Sequence, residues 1–265
     1  MNAAVAEAIL DADLERRFGG LRRLYGAAAY ERLRALRVAV VGVGGCGSWA
    51  AEALARSGIA ALTLVDLDHV AESNVNRQVQ ATTATLGQAK VRALAERVAQ
   101  IHPGCVVHAV EEFVDASNWP ALLRAPVDAV IDACDQVRAK VALAAWARDS
   151  RAAFVSVGAA GGKRRGEAVE VDDLAGVTHD PLLAAVRQRL RRAHGAPRQG
   201  PIGIACVCSR EAVAPPDPSC AIEGAGDGSL NCHGYGSSVV VTATFGLVAA
   251  GEVLRRCLGA GSKAC

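Results

Sequence analysis

Gly42, Gly44, Gly45 and Gly47 make a Gly-x-Gly-Gly-x-Gly turn; Asp66 and Asp68 follow, then Asn74, Arg77 and Gln78, then Lys90, and later Asp135. Closely spaced glycines let backbone N–H groups approach a phosphate with no Cβ in the way, and a carboxylate about 20 residues on can accept from ribose hydroxyls. Arginine offers a planar fork to phosphate oxygens and lysine a point charge. Asn74 and Gln78 add neutral donors. A nucleotide carrying several phosphates suits this series, and ATP suits it better than NAD, because an NAD site leaves Arg77, Lys90 and Asp135 without a role. Asp135 could hold Mg²⁺ on the triphosphate, an ion commonly bound by one or two carboxylates plus phosphate. It could also cap the helix after it, and the two roles are compatible. Asp68 could be a solvated strand-end acid. Arg77 or Lys90 alone would read as a surface charge, but together, downstream of the turn, they read as an ATP clamp.

These side chains need a scaffold, and the pattern supplies one. Residues 38–41 and 61–65 are apolar, β-branched runs suited to buried parallel strands. Between them, residues 48–57 are rich in helix formers and stop at Gly58. Residues 85–101 form an amphipathic helix, 106–110 a strand, 119–123 a short helix and 127–131 a fourth strand. A helix over 138–148 and a strand over 153–157 follow. This alternation predicts an α/β fold with a doubly wound, mostly parallel sheet. Residues 11–37 form a helical N-terminal arm. Beyond Gly158 the pattern predicts a strand over 168–171, a basic helix over 180–194, a Gly- and Pro-rich stretch over 195–236 and a buried C-terminal helix over 237–258. We read one domain over 1–265: the arm (1–37), a nucleotide-binding core (38–160) and a loop-rich, substrate-facing elaboration (161–265).

The chain has 265 residues, about half of them apolar, and a formal net charge of +2, which does not mark a general nucleic-acid binder. The charge is uneven, however. Lys163, Arg164, Arg165, Arg187, Arg189, Arg191, Arg192 and Arg198 put eight positive charges into 36 residues, with no acid between Asp180 and Glu211. This run suits either a solvated helix face or a polyanion contact. No signal peptide is read at the start, and no apolar run of about 18 residues predicts a membrane span. Nine cysteines, an odd number, fit a reducing cytoplasm better than a disulfide framework. Cys206-x-Cys208 with Cys220 and Cys232 could be argued as a zinc site, but the usual paired C-x₂-C ligands are missing. Cys232, between Asn231 and His233, is the candidate reactive thiol, and an inert cysteine is an equal reading.

In this order, Gly42–Gly47, Asp66-Leu-Asp68, Asn74-Val-Asn76-Arg77-Gln78 and Gly87-Gln-Ala-Lys90 resemble the adenylating enzymes of the ubiquitin-activating, ThiF/MoeB-like superfamily, over about the first 160 residues. Within it the chain resembles the bacterial tRNA threonylcarbamoyladenosine dehydratases. The residues carrying that likeness are 17–26, 47–56, Gly158-Ala-Ala-Gly-Gly162, Asp180-Pro-Leu182, Asn231-Cys232 and Thr242–Gly246. The resemblance implies a Rossmann-like adenylation fold, ATP and Mg²⁺ as cofactors, and ATP-dependent activation of a carboxylate on tRNA. By it Gly45 would contact phosphate, Asp66 ribose, and Arg77 and Lys90 the triphosphate, with Mg²⁺ on Asp135. Lys163, Arg164, Arg165, Arg187, Arg189, Arg191 and Arg192 would touch the tRNA backbone. The resemblance further implies a homodimer and a sulfur-transfer protein as a partner. An arginine from the arm, Arg17, Arg22 or Arg23, would reach the ATP site. The alternative is adenylation of the C-terminal glycine of a small sulfur-carrier protein.

Overall fold

The computed structural model describes residues 12–217 and 235–259. Three short helices, α1 (Leu14–Phe18), α2 (Gly20–Tyr25) and α3 (Ala27–Ala35), make the arm. The core then alternates: β1 (Arg37–Val41), α4 (Gly47–Arg56), β2 (Ala61–Val65), α5 (Lys90–Ile101), β3 (Val106–Val110), β4 (Ala129–Asp132), α6 (Val137–Asp149) and β5 (Ala153–Val157). The remainder is β6 (Val169–Asp173), α7 (Pro181–Ala193), β7 (Ala205–Ser209) and α8 (Val239–Leu258). The seven strands lie in the order β3-β2-β1-β4-β5-β7-β6, all pairs parallel except β6 with β7. No helix among the described residues is long and apolar enough to cross a membrane.

Strand parity divides the core. Val38 and Val40 of β1 and Leu62 and Leu64 of β2 face one side, against α3, α4, α5 and α8. Ala39, Val41 and Val130 face the other side, against α6 and α7. Both sides of each central strand are therefore apolar, as a doubly wound sheet requires. Helix α8 crosses α4 at Gly246, where a Cβ would lie 2.3 Å from the Cys46 carbonyl oxygen. That approach lets α8 bury Val241, Phe245, Ala249 and Val253, and each large apolar side chain contributes about 1.5–3 kcal/mol relative to exposure. Asp180 caps α7: its Oδ1 accepts from the Leu183 N–H at 2.9 Å, and Pro181 takes the first helical position.

The departures from expectation have local causes. Residues 119–122 are turns, because Pro120 disfavours the helical region at the residue before it; Trp119 instead packs edge-on to Trp146, with ring centroids 5.3 Å apart. Helix α5 begins at Lys90, since Thr83–Thr85 form a 3₁₀ turn closed by the Thr85 hydroxyl and the Lys90 N–H is held by the Asp68 carbonyl. The stretch read as loop over 195–236 contains β7, which pairs with β6 from Val169↔Ser209 to Asp173↔Ala205. Helix α8 is buried on one flank only; Val240 and Leu247 are exposed on the other.

Candidate functional site

Strand β1 ends at Val41 and the glycine turn carries the chain into α4. A Cβ on Gly47 would lie 1.8 Å from the Gly42 carbonyl oxygen, so only glycine allows the turn to close. The N-terminus of α4 then points its dipole and first N–H groups at the carboxyl edge of the sheet, beside the switch point between β1 and β4, where open α/β sheets bind ligands. A cleft of about 1190 Å³, open mouth included, lies there. Gly42, Gly44, Gly45, Asp66, Asp68, Asn74, Arg77, Gln78, Lys90 and Asp135 all line it. Of the predicted nucleotide residues only Gly47 does not, and its part is the tight turn.

Each side chain is held by a different element. At the tip of β2, Asp66 accepts from the Val43 N–H at 2.8 Å and the Asp68 N–H at 2.9 Å. Burial pushes its carboxyl above the usual carboxylate range, against the opposing pull of Lys90 and the two N–H donors. Lys90 opens α5 and places its ammonium 2.7 Å from Asp68 Oδ2. The Arg77 carbonyl accepts from Trp49 Nε1 on α4 at 2.9 Å and from the Thr242 hydroxyl on α8 at 3.4 Å. Arg77 is half-buried, and its guanidinium donates to the Ser73 carbonyl and to Asn76 Oδ1. Asn74 is buried and spends its carbonyl on the Ala71 N–H. Gln78 is buried and accepts from Gln80, which also donates to the Val43 carbonyl. Asp135 is exposed just beyond β4, and the N-cap position of α6 belongs to Gln136, so Asp135 does not cap that helix.

Beneath the cleft lies a network that sequence reasoning missed. The Lys140 ammonium donates to Asp132 Oδ2 (3.0 Å), the Asp132 carbonyl (3.2 Å), Ser156 Oγ (3.2 Å) and the Val157 carbonyl (2.7 Å). Ser156 in turn donates to Asp132 Oδ2 at 2.7 Å. Lysine and aspartate are both fully buried. The ammonium thereby ties the ends of β4 and β5, from which the cleft-lining loops depart. The only sequence signal was a strand-end acid with a lysine eight positions on. Cys134, on the cleft wall, donates to Asp132 Oδ1 at 2.9 Å, and burial pushes its thiol well above the ordinary value. Glu112, Phe113 and Val114 also line the cleft and were not anticipated.

Several expectations meet a different placement. Lys163 is buried, its ammonium held by the carbonyls of His179, Ser209 and Glu211, so it is not presented to a nucleic acid. Arg164, Arg165 and Arg192 are exposed, Arg165 paired with Glu167. Arg187 and Arg191 are half-buried and donate to carbonyls of their own surroundings. Cys206 and Cys208 lie in β7 with their side chains in the core, which removes them from any zinc site. Cys220 and Cys232 lie outside the described residues. Arg17 donates to the Gln100 and Ile101 carbonyls at the far end of α5 from Lys90, and Arg22 sits between Glu15 and Glu31 over the Tyr30 ring. Neither lines the cleft.

The ThiF family model matches residues 18–265. The tRNA threonylcarbamoyladenosine dehydratase of Escherichia coli is 42% identical over 91% of this chain and 92% of its own length. That of Haemophilus influenzae is 38% identical over 92% and 94%. The E. coli molybdopterin-synthase adenylyltransferase is 37% identical, but over 48% of this chain and 50% of its own length. Among solved structures, the E. coli dehydratase TcdA in complex with ATP superposes with a TM-score of 0.83 at 40% identity, covering 94% of this chain and 96% of that one. Its AMP complex gives 0.84 at 39%, covering 95% and 98%. The chain belongs to the ThiF family.

Proposed function

We propose that this ThiF-family chain dehydrates threonylcarbamoyladenosine in tRNA at the expense of ATP. The carboxylate of the modified adenosine is activated, an internal nitrogen attacks it, and a ring closes with net loss of water. The observation that carries the reading is the single cleft in which glycine turn, ribose acid, two cations and a further carboxylate meet, in a chain that matches dehydratases over nine tenths of its length. Carrier-protein adenylation loses weight because that likeness covers only half the chain.

The cleft fits the group. The glycine turn leaves room against the backbone, and the lining brings two cations, Arg77 and Lys90, together with four carboxylates, Asp66, Asp68, Glu112 and Asp135. ATP supplies the phosphorus electrophile that turns a carboxylate oxygen into a leaving group. The chain's own work is positioning and charge. The α4 N-terminus takes phosphate, and Asp66, held by two N–H donors, accepts from ribose hydroxyls. Arg77 and Lys90 neutralise the charge that builds on the departing phosphates, and the exposed Asp135 would hold Mg²⁺. No protein nucleophile is required. A homodimer, a docking sulfur-transfer protein and a cytoplasmic location belong to the same proposal and rest on the family resemblance.

The test is mass spectrometry of tRNA nucleosides after incubation with purified protein, ATP and Mg²⁺. The expected result is ATP-dependent loss of one water from the modified adenosine, reduced about 10²–10³-fold in Asp135→Ala. No loss of water with intact ATP binding overturns the reading.

A further inference from the structure

The chain segment 112–117 divides two depressions at the carboxyl edge of the sheet. Glu112, Phe113 and Val114 face the nucleotide cleft, whereas Asp115, Ala116 and Ser117 face a shallower groove completed by Arg138, Val141 and Arg189. The second wall divides in the same way: Asp135 and Gln136 line the cleft, and Arg138, on the first turn of α6, lines the groove. Arg189 comes from α7. Two guanidinium groups from different helices thus converge on one groove beside the site of chemistry.

Their charge is not used by the fold. Among the described residues neither guanidinium has a hydrogen-bond or ion-pair partner, whereas Arg148, Arg187 and Arg191 on the same two helices all donate to carbonyls. The groove's one acid, Asp115, is already engaged: its Oδ1 accepts from Ser117 N (2.7 Å), Ser117 Oγ (2.6 Å) and Asn118 N (3.1 Å). Asp115 Oδ1 serves its own turn and the carboxylate pairs with neither arginine, so both remain available to an outside anion. Arginine's fork matches the two free oxygens of a phosphodiester.

We propose that Arg138 and Arg189 form a backbone-phosphate subsite for the RNA substrate, which seats the modified nucleotide in the cleft. The inference rests on the tRNA reading above. Backbone flanking a base seated in the cleft would cross the 112–117 wall to reach the groove, which presents the two guanidinium groups on its other side. Such contacts set register without reading sequence. Arg138 was absent from the basic run picked out by sequence, because it lies apart from it in the chain.

The experiment is fluorescence anisotropy of the full-length protein with threonylcarbamoyladenosine-bearing tRNA between about 50 and 200 mM salt, for wild type, Arg138→Gln/Arg189→Gln and Arg138→Lys/Arg189→Lys. The double glutamine variant should bind roughly five- to tenfold more weakly, and its log–log salt slope should be shallower by about 1.5, near two released counterions. The lysine variant should keep most of the slope, because the charge stays. An unchanged slope in the glutamine variant overturns the subsite, as does a change of sedimentation coefficient with no change of slope, which would make the groove a contact between copies. An equal loss of slope in the lysine and glutamine variants also overturns it. Binding is read apart from turnover, so a wild-type protein that binds tRNA but removes no water counts against the proposed function and not against the groove.

Discussion

Two lysine–aspartate pairs sit at the same edge of the sheet in opposite surroundings. Lys140 and Asp132 are both 0% exposed, and the ammonium meets four oxygens. Lys90 is 8% exposed but its partner Asp68 is 57% exposed, and Asp68 is its one hydrogen-bond acceptor among the described residues. An ammonium has three donors. The interior lysine has spent all of its capacity on the strand ends, while the one at the cleft has donors left for a ligand. The same two residue types therefore serve as a brace in one place and, in the proposed function, as a binding group in the other, and solvation decides which. Burial alone would pull the Lys140 ammonium down, but Asp132 beside it holds it above the ordinary lysine value.

The largest effect should come from breaking the brace. Lys140→Met should cost about 3–5 kcal/mol in urea unfolding, because it leaves Asp132 charged and unpaired in the core. Lys140→Met with Asp132→Leu should recover much of that loss, because an apolar pair needs no counter-charge. If the single and double variants lose equal stability, the pair is not acting as a unit.

Lys90→Met should do the reverse. Turnover should fall about 10²–10³-fold, while stability changes by no more than about 1 kcal/mol, since Asp68 stays in water. A stability loss matching that of Lys140→Met would erase the distinction.

A third buried group sharpens the comparison by lacking a carboxylate. His102 is 1% exposed and lies beside Arg34 and the Phe18 ring. Burial and then the Arg34 charge lower its pKa to about 4. The unfolded chain takes up this proton near pH 6.5 and the folded chain only near 4, so stability should decline as pH falls through that window, by up to roughly 3 kcal/mol. For Lys140 the sign is opposite. Its folded pKa lies above the unfolded value of about 10.4, so its contribution is complete at neutral pH and lost only in strong alkali. His102→Leu should flatten the acid limb of a denaturation series and leave the alkaline limb unchanged.

The smallest effect belongs to Asp68→Asn. It should shift stability by well under 1 kcal/mol and show itself in ATP affinity measured by calorimetry.

The glycine turn, Asp66, the Arg77–Gln78 segment, Lys90 and Asp135 were legible in the chain because each belongs to a short motif of fixed spacing. The strands and helices of residues 38–157 were legible because periodicity reports which faces are buried. Those signals are local, and local chemistry marked out residues that line one cleft. What stayed hidden depends on elements distant in sequence. The Lys140 brace needs β4, β5 and α6 side by side, and β7 gains its identity from pairing with β5 and β6. Lys163 reads as one of a basic trio until three carbonyls from two other segments enclose it. Arg138 reads as an ordinary helix charge until α7 brings Arg189 to the same groove. A charge declares its type in the sequence, but its role depends on what surrounds it. Tertiary structure alone decides that, because desolvation and the number of available partners are properties of assembled space.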